Sequence, residues 1–137
     1  MNKTLIKWLV PAILLLIAGC AVPPQKQTAP APSGNLAVTS LLGKARSQTA
    51  AGRLSDASVS LERALRIEPR NALLWHELAR VRLAQGQLMQ AENLAAKSNS
   101  LVPAGHVLRR ENWIIIGRAR TDLGDLQGAR QAFERAE

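Results

Sequence analysis

The chain has 137 residues, room for one small domain and a leader. Its formal charge is +8, from 18 Lys and Arg against 10 Asp and Glu, and it holds three Trp, one Phe and no Tyr. The single cysteine, Cys20, excludes an internal disulfide and a cysteine-built metal site, and the two histidines, His76 and His106, leave few groups for acid–base or metal chemistry.

The amino terminus reads as targeting sequence. Lys3 and Lys7 precede an uncharged apolar run that begins at Trp8 and, at about 14 residues, is shorter than the roughly 20 a spanning helix needs. It ends in Leu16-Ile17-Ala18-Gly19-Cys20. An ordinary signal peptide or an inner-membrane anchor with a chance cysteine is the plain alternative, yet the only cysteine stands at the end of this run. The run resembles the lipobox of bacterial lipoproteins, which implies a signal peptide over 1–19, diacylglycerol on the Cys20 thiol, cleavage before it, and acylation of the new amino terminus. Several acyl chains make such attachment effectively permanent. Ala21, where the enteric sorting rule places Asp for inner-membrane retention, implies the periplasmic face of the outer membrane. Loss of Lys3 and Lys7 leaves 16 basic residues against 10 acidic. In the cytoplasm such a balance points to nucleic acid. Beyond the inner membrane the polyanions are lipid head groups, wall polymers and acidic protein surfaces, so no nucleic-acid partner is expected.

Residues 20–35 form the next segment. From Ala21 to Asn35 the sequence AVPPQKQTAPAPSGN has almost nothing to bury and is expected to be a disordered or polyproline-like tether, reaching roughly 45 Å at about 3.1 Å per residue.

From residue 36 to 137 the pattern is periodic. Gly-x-Leu-x-x-Ala recurs at Gly52, Leu54, Ala57, at Gly86, Leu88, Ala91, and at Gly124, Leu126, Ala129. The first two copies lie 34 residues apart and the last two 38. Pro69 and Pro103 keep the 34-residue beat, and Leu41, Trp75 and Trp113 each stand eleven residues before a turn glycine. Each unit predicts two amphipathic helices joined by a glycine turn. Small residues (Ala45, Ala79, Gly117) allow close helix approach, and proline follows the second helix. One unit cannot bury its apolar face alone, so about three are needed. These residues resemble the tetratricopeptide repeat, with units at about 38–71, 72–105 and 110–137. The resemblance implies an all-α fold, a short right-handed α-solenoid of three helix-turn-helix repeats.

Three departures stand out. Pro103 to Trp113 is longer than Pro69 to Trp75 by four residues, about one helical turn. This predicts an extended first helix in the third unit or a longer loop around Gly105-His106. The usual tyrosine column holds Gln48, Arg82 and Arg120. The sequence given stops at Glu137, before a third closing proline or a capping helix, so Ala129, Phe133 and Ala136 are expected to form a partly exposed edge.

In tetratricopeptide arrays the first helices line a concave face, and here positions i, i+4 and i+7 of each share one side. The expected groove residues are Leu42, Arg46 and Thr49, then His76, Arg80 and Leu83, then Ile114, Arg118 and Thr121. Arg46, Arg80 and Arg118 share a column and are expected to form a ladder roughly 20 Å long, at 8–10 Å between neighbouring helices. The plainer reading of that ladder is a solvated basic stripe. Exposed ion pairs contribute about 0–1 kcal/mol each, so the ladder could align an acidic segment, with Leu42, Leu83 and Ile114 supplying burial. The Lys and Asn pattern that clamps a C-terminal carboxylate in chaperone-binding members is missing.

No catalytic constellation appears. Trp75-His76-Glu77-Leu78-Ala79-Arg80 begins like a zinc-protease HExxH, but Arg80 stands where the second histidine belongs. No enzyme activity, cofactor or metal is expected. The combined organisation is similar to the small lipoprotein activators of class A, bifunctional penicillin-binding proteins in pseudomonads, which implies a peptidoglycan synthase as partner. The alternatives are a scaffold or assembly lipoprotein for pilus biogenesis or an outer-membrane secretion machine, and direct binding of anionic wall polymer.

Overall fold

Six helices follow one another in a computed structural model that describes residues 33–137, with no strand among the described residues. They are α1 Leu36–Ala50, α2 Leu54–Ile67, α3 Ala72–Ala84, α4 Leu88–Ser100, α5 Val107–Asp122 and α6 Leu126–Glu134. The signal peptide, Cys20 and all but the last three residues of the tether lie outside the described residues.

Local chemistry explains where the helices start. The Asn35 side chain accepts from the backbone N–H of Ala37 at 2.9 Å, and the Asn71 side chain accepts from Leu73 at 3.1 Å. Such caps satisfy donors that the first helical turn leaves open. His106 does the same for α5, its Nδ1 accepting from the N–H of Leu108 at 3.2 Å. The residue expected in a loop is therefore the cap of the third unit.

Within each unit the turn is the same object three times over. Gly52, Gly86 and Gly124 have φ of 72°, 72° and 85°. The residue after each glycine donates to the carbonyl five positions back, Arg53 to Gln48, Gln87 to Arg82 and Asp125 to Arg120, at 2.8, 2.9 and 2.9 Å. This double closure of a helix end around a left-handed residue is the Schellman arrangement, which favours glycine. It converts the sequence repeat into three helix pairs joined by the same turn.

Stacking then buries the apolar faces. Each helix packs on the next, and α3 also packs on α5, so the molecule is a short α-solenoid of three units. Val38, Leu61, Leu65, Leu74 and Leu78 form one core cluster among α1, α2 and α3. Ala79, Ala91, Ala95, Ile115, Ile116 and Ala132 form a second among α3 to α6, and Leu94 borders both. The small-residue column is buried as expected at Ala45, Ala79 and Gly117. A Cβ on Gly117 would lie 2.5 Å from the Phe133 ring.

Both alternatives for the third unit occur together. α5 starts six residues before Trp113, whereas α3 starts three before Trp75, and the preceding loop spans 101–106 rather than the shorter 68–71. The unit thus begins at Val107, ahead of the expected 110. One expectation is corrected: Ala129 and Ala136 are buried, at 4% and 8% exposure, and only Phe133 is open, at 39%. The two alanines face α5 inside their own unit, and Arg110 Nε donates to the Ala136 carbonyl at 3.0 Å, closing the chain end.

Candidate functional site

The column that lacks tyrosine holds the units together. Gln48 is buried and its Oε1 accepts from the Ser60 hydroxyl at 2.8 Å. Arg82 pairs with Glu62 of the preceding unit at 2.7 Å, and Arg120 pairs with Glu92 of the preceding unit at 2.5 Å. The hydrogen bonds Arg120 donates to Glu92 raise its pKa further above its already high ordinary value. Two rungs of the column are thus inter-unit ion pairs, and they leave the opposite, first-helix face to form a groove.

Two adjoining clefts occupy that face. One of about 460 Å³ lies between α3 and α5 and is lined by His76, Arg80, Leu83, Glu111, Ile114 and Arg118, among others. Another of about 480 Å³ lies toward α1 and includes Leu42 and Arg46. Glu111 lines both. Seven of the nine expected groove residues therefore border these clefts. Thr49 and Thr121 do not: their hydroxyls bond back to the carbonyls of Ala45 and Gly117 on their own helices, at 2.9 and 2.8 Å.

The arginine ladder is not an uninterrupted basic stripe. Glu77, 8% exposed, accepts from Arg46 Nε at 2.7 Å and lies 3.3 Å from Arg80 Nη1. A buried carboxylate must be paired, and one carboxylate here draws in two of the three rungs. Arg118 makes no ion pair among the described residues and is exposed on the cleft wall. Sequence reading missed Glu77 as a groove component. Its signal was a carboxylate in a column that holds Gly43 and Ile115 in the other units.

His76 borders the cleft but is 5% exposed, so it is a wall residue more than a free recognition group. Asn112 Nδ2 donates to Asn99 Oδ1 at 2.9 Å, which turns Asn112 Oδ1 toward His76 Nδ1 at 2.8 Å. On the other side of the ring, Nε2 faces Glu111 Oε2 at 3.4 Å. Glu111, half exposed, brings a carboxylate to that end of the cleft. Asn112 is fully buried and went unnoticed in the sequence, although it stands in the column of the fully buried Leu74. A polar residue in a core column was the available sign.

The tetratricopeptide repeat family model matches residues 48–101. The globular C-terminal domain of P. aeruginosa LpoP, a solved structure, is similar to this chain at 38% sequence identity and a TM-score of 0.72. The similarity covers 76% of this chain and 98% of that one. No curated protein matches.

Proposed function

The chain belongs to the tetratricopeptide-repeat family of the P. aeruginosa LpoP domain, and we propose that it is a lipid-anchored activator of a class A penicillin-binding protein. In this reading Cys20 carries the lipid at the periplasmic face of the outer membrane, residues 21–35 form a tether, and the repeats present the groove to the synthase. The repeat fold is a protein-binding fold, which directs the reading to interaction over catalysis.

The observation that carries the proposal is the correspondence of the whole helical array to the LpoP domain at 38% identity. It agrees with the combination of lipobox, proline-rich segment and minimal repeat array, which resembles the pseudomonad activators. A groove about two units long, with apolar Leu42, Leu83 and Ile114 beside Arg118, suits a short segment of a partner better than a large rigid surface. Burial at roughly 25 cal/mol per Å² would supply affinity, while the charges would set register and partner choice.

The test is reconstitution. Full chain in detergent is mixed with the purified class A penicillin-binding protein of the same organism and lipid-linked wall precursor, and glycan polymerisation and cross-linking are followed. Stimulation that requires the groove is expected: Arg118→Glu abolishes most of it, whereas Arg135→Glu does not, because Arg135 stacks over the Trp113 ring at 4.7 Å, away from the clefts. A synthase that neither binds nor responds, with capture of pilus or secretin components in its place, would establish the scaffold reading.

A further inference from the structure

We infer that the groove recognises a bipolar segment, with a basic, an apolar and an acidic side chain in that order, in preference to a purely acidic one. The inference rests on the groove reading above and concerns what the groove reads.

A uniform ladder of arginines would favour acidic residues along its length. The charges are arranged otherwise. Glu77 engages Arg46 and Arg80, so part of the positive charge at those two rungs is already paired. On α5 itself, Glu111 and Arg118 are seven positions apart, two helical turns or about 10 Å along one face. Both border the cleft between α3 and α5, with Ile114 between them and Leu83 opposite.

The amino-terminal end of this cleft is an acceptor end. Glu111 Oε2 stands 3.4 Å from His76 Nε2, at the edge of the cleft. A partner carboxylate placed there meets like charge, whereas a Lys or Arg donates to the Glu111 carboxylate. Glu111 is about half exposed, so its carboxylate is available. At the other end Arg118 makes no ion pair among the described residues, and Arg80 is close to it along the same cleft. An acidic side chain fits that end, and Leu83 with Ile114 takes an apolar group between the two.

Spacing follows from the same geometry. In an extended segment, positions i, i+2 and i+4 share a face, with about 13 Å between the outer two. Long side chains absorb the difference from the 10 Å between the charged ends. The segment is therefore of the form basic-x-apolar-x-acidic. Reading both signs also rejects partners that are merely acidic, a discrimination that charge of one sign cannot supply.

A random 12-residue peptide library displayed on phage is selected on the full chain held in detergent micelles. Selected peptides are expected to share the basic-x-apolar-x-acidic pattern. Their affinity falls about tenfold or more with either Arg118→Glu or Glu111→Lys, the scale of coupling between close interfacial charges. Replacing the peptide's basic residue by Glu should restore binding to the Glu111→Lys protein alone. Both substituted positions are solvent-exposed, and circular dichroism checks that the variants stay helical. Acid-only peptides that respond to Arg118→Glu and ignore Glu111→Lys would overturn the inference and leave the groove reading standing. Peptides indifferent to both changes, or no enrichment over a blank surface, would overturn the two together.

Discussion

The second unit is packed on both sides and the third on one, and matching positions in the two behave differently. In the column of Leu61 and Ala95, both buried, the third unit carries Phe133 at 39% exposure. After the turn glycine, Leu54 and Leu88 are half-buried while Leu126 is 69% exposed. Positions that face inward within a unit show no such contrast, since Ala57, Ala91 and Ala129 are all buried. Burial in this molecule is thus set by the neighbouring unit as much as by residue type, as expected when stability is a sum of units and their interfaces. Among the described residues, the outer side of the third unit is held by other means: Arg110 to the Ala136 carbonyl and Arg135 over Trp113.

The sharpest way to break this comparison is to remove bulk from each unit. Leu74 is fully buried in the middle unit, so Leu74→Ala is expected to cost about 3 kcal/mol in urea unfolding, transfer and cavity terms together. Phe133 is the larger side chain, yet Phe133→Ala should cost about 1 kcal/mol, because much of its ring already meets water. Equal losses would mean that a further surface covers the third unit in solution.

The turns give the next largest effect. Gly86 has φ of 72°, and an alanine there is forced into the left-handed region at about 1–2 kcal/mol. The same change at Gly124 meets the same local strain but joins the shortest helix, α6, so fraying relieves part of it. The expected ordering of unfolding midpoints is native, then Gly124→Ala, then Gly86→Ala.

The features readable from the chain were those with local causes. Turn glycines, following prolines and small residues in the close-packing column each act within one unit, so phase alone placed them. Phase also placed one face of each first helix, and seven of the nine positions expected along it border the clefts. What phase could not show was pairing between units. Glu77 reaches across to Arg46 of the preceding unit, and His76 depends on Asn112 and Asn99, which lie on two other helices. Ala129 and Ala136 were expected at an exposed edge because the whole last helix was treated as open. Only its outward side is open, and these two residues face α5.

The inter-unit arginines sharpen the comparison more gently. Arg120 and Glu92 are 30% and 24% exposed, and Arg120 Nη1 also donates to the Gly128 carbonyl at 3.3 Å. Arg120→Met is expected to cost about 1 kcal/mol, and Arg82→Met less, because Glu62 is the more exposed partner and solvent screens the pair. Raising salt should shrink both differences. A larger loss at Arg82 would show that the middle junction depends on its ion pair despite its apolar packing.

The smallest effect distinguishes the two junctions themselves. Between the first and second units Glu68 accepts hydrogen bonds from the Ser33 hydroxyl and from Asn71 Nδ2, the latter at 2.7 Å. The Ser33 bond first, and the Asn71 bond second, hold the carboxyl below its ordinary value. A folded pKa below the unfolded one contributes stability that is present above the unfolded value and is lost as pH falls through the folded one. The next junction has Val102 in the corresponding position, and there Arg109 donates to the Asn99 and Val102 carbonyls at 2.9 and 3.4 Å. Acidification below the ordinary glutamate range should therefore perturb the amide resonances of Ser33, Asn35 and Asn71 more than those around Val102, and Glu68→Gln should remove that step. An acid response of the same size at both junctions, or one that survives Glu68→Gln, would assign the titration to another carboxylate and dissolve the distinction.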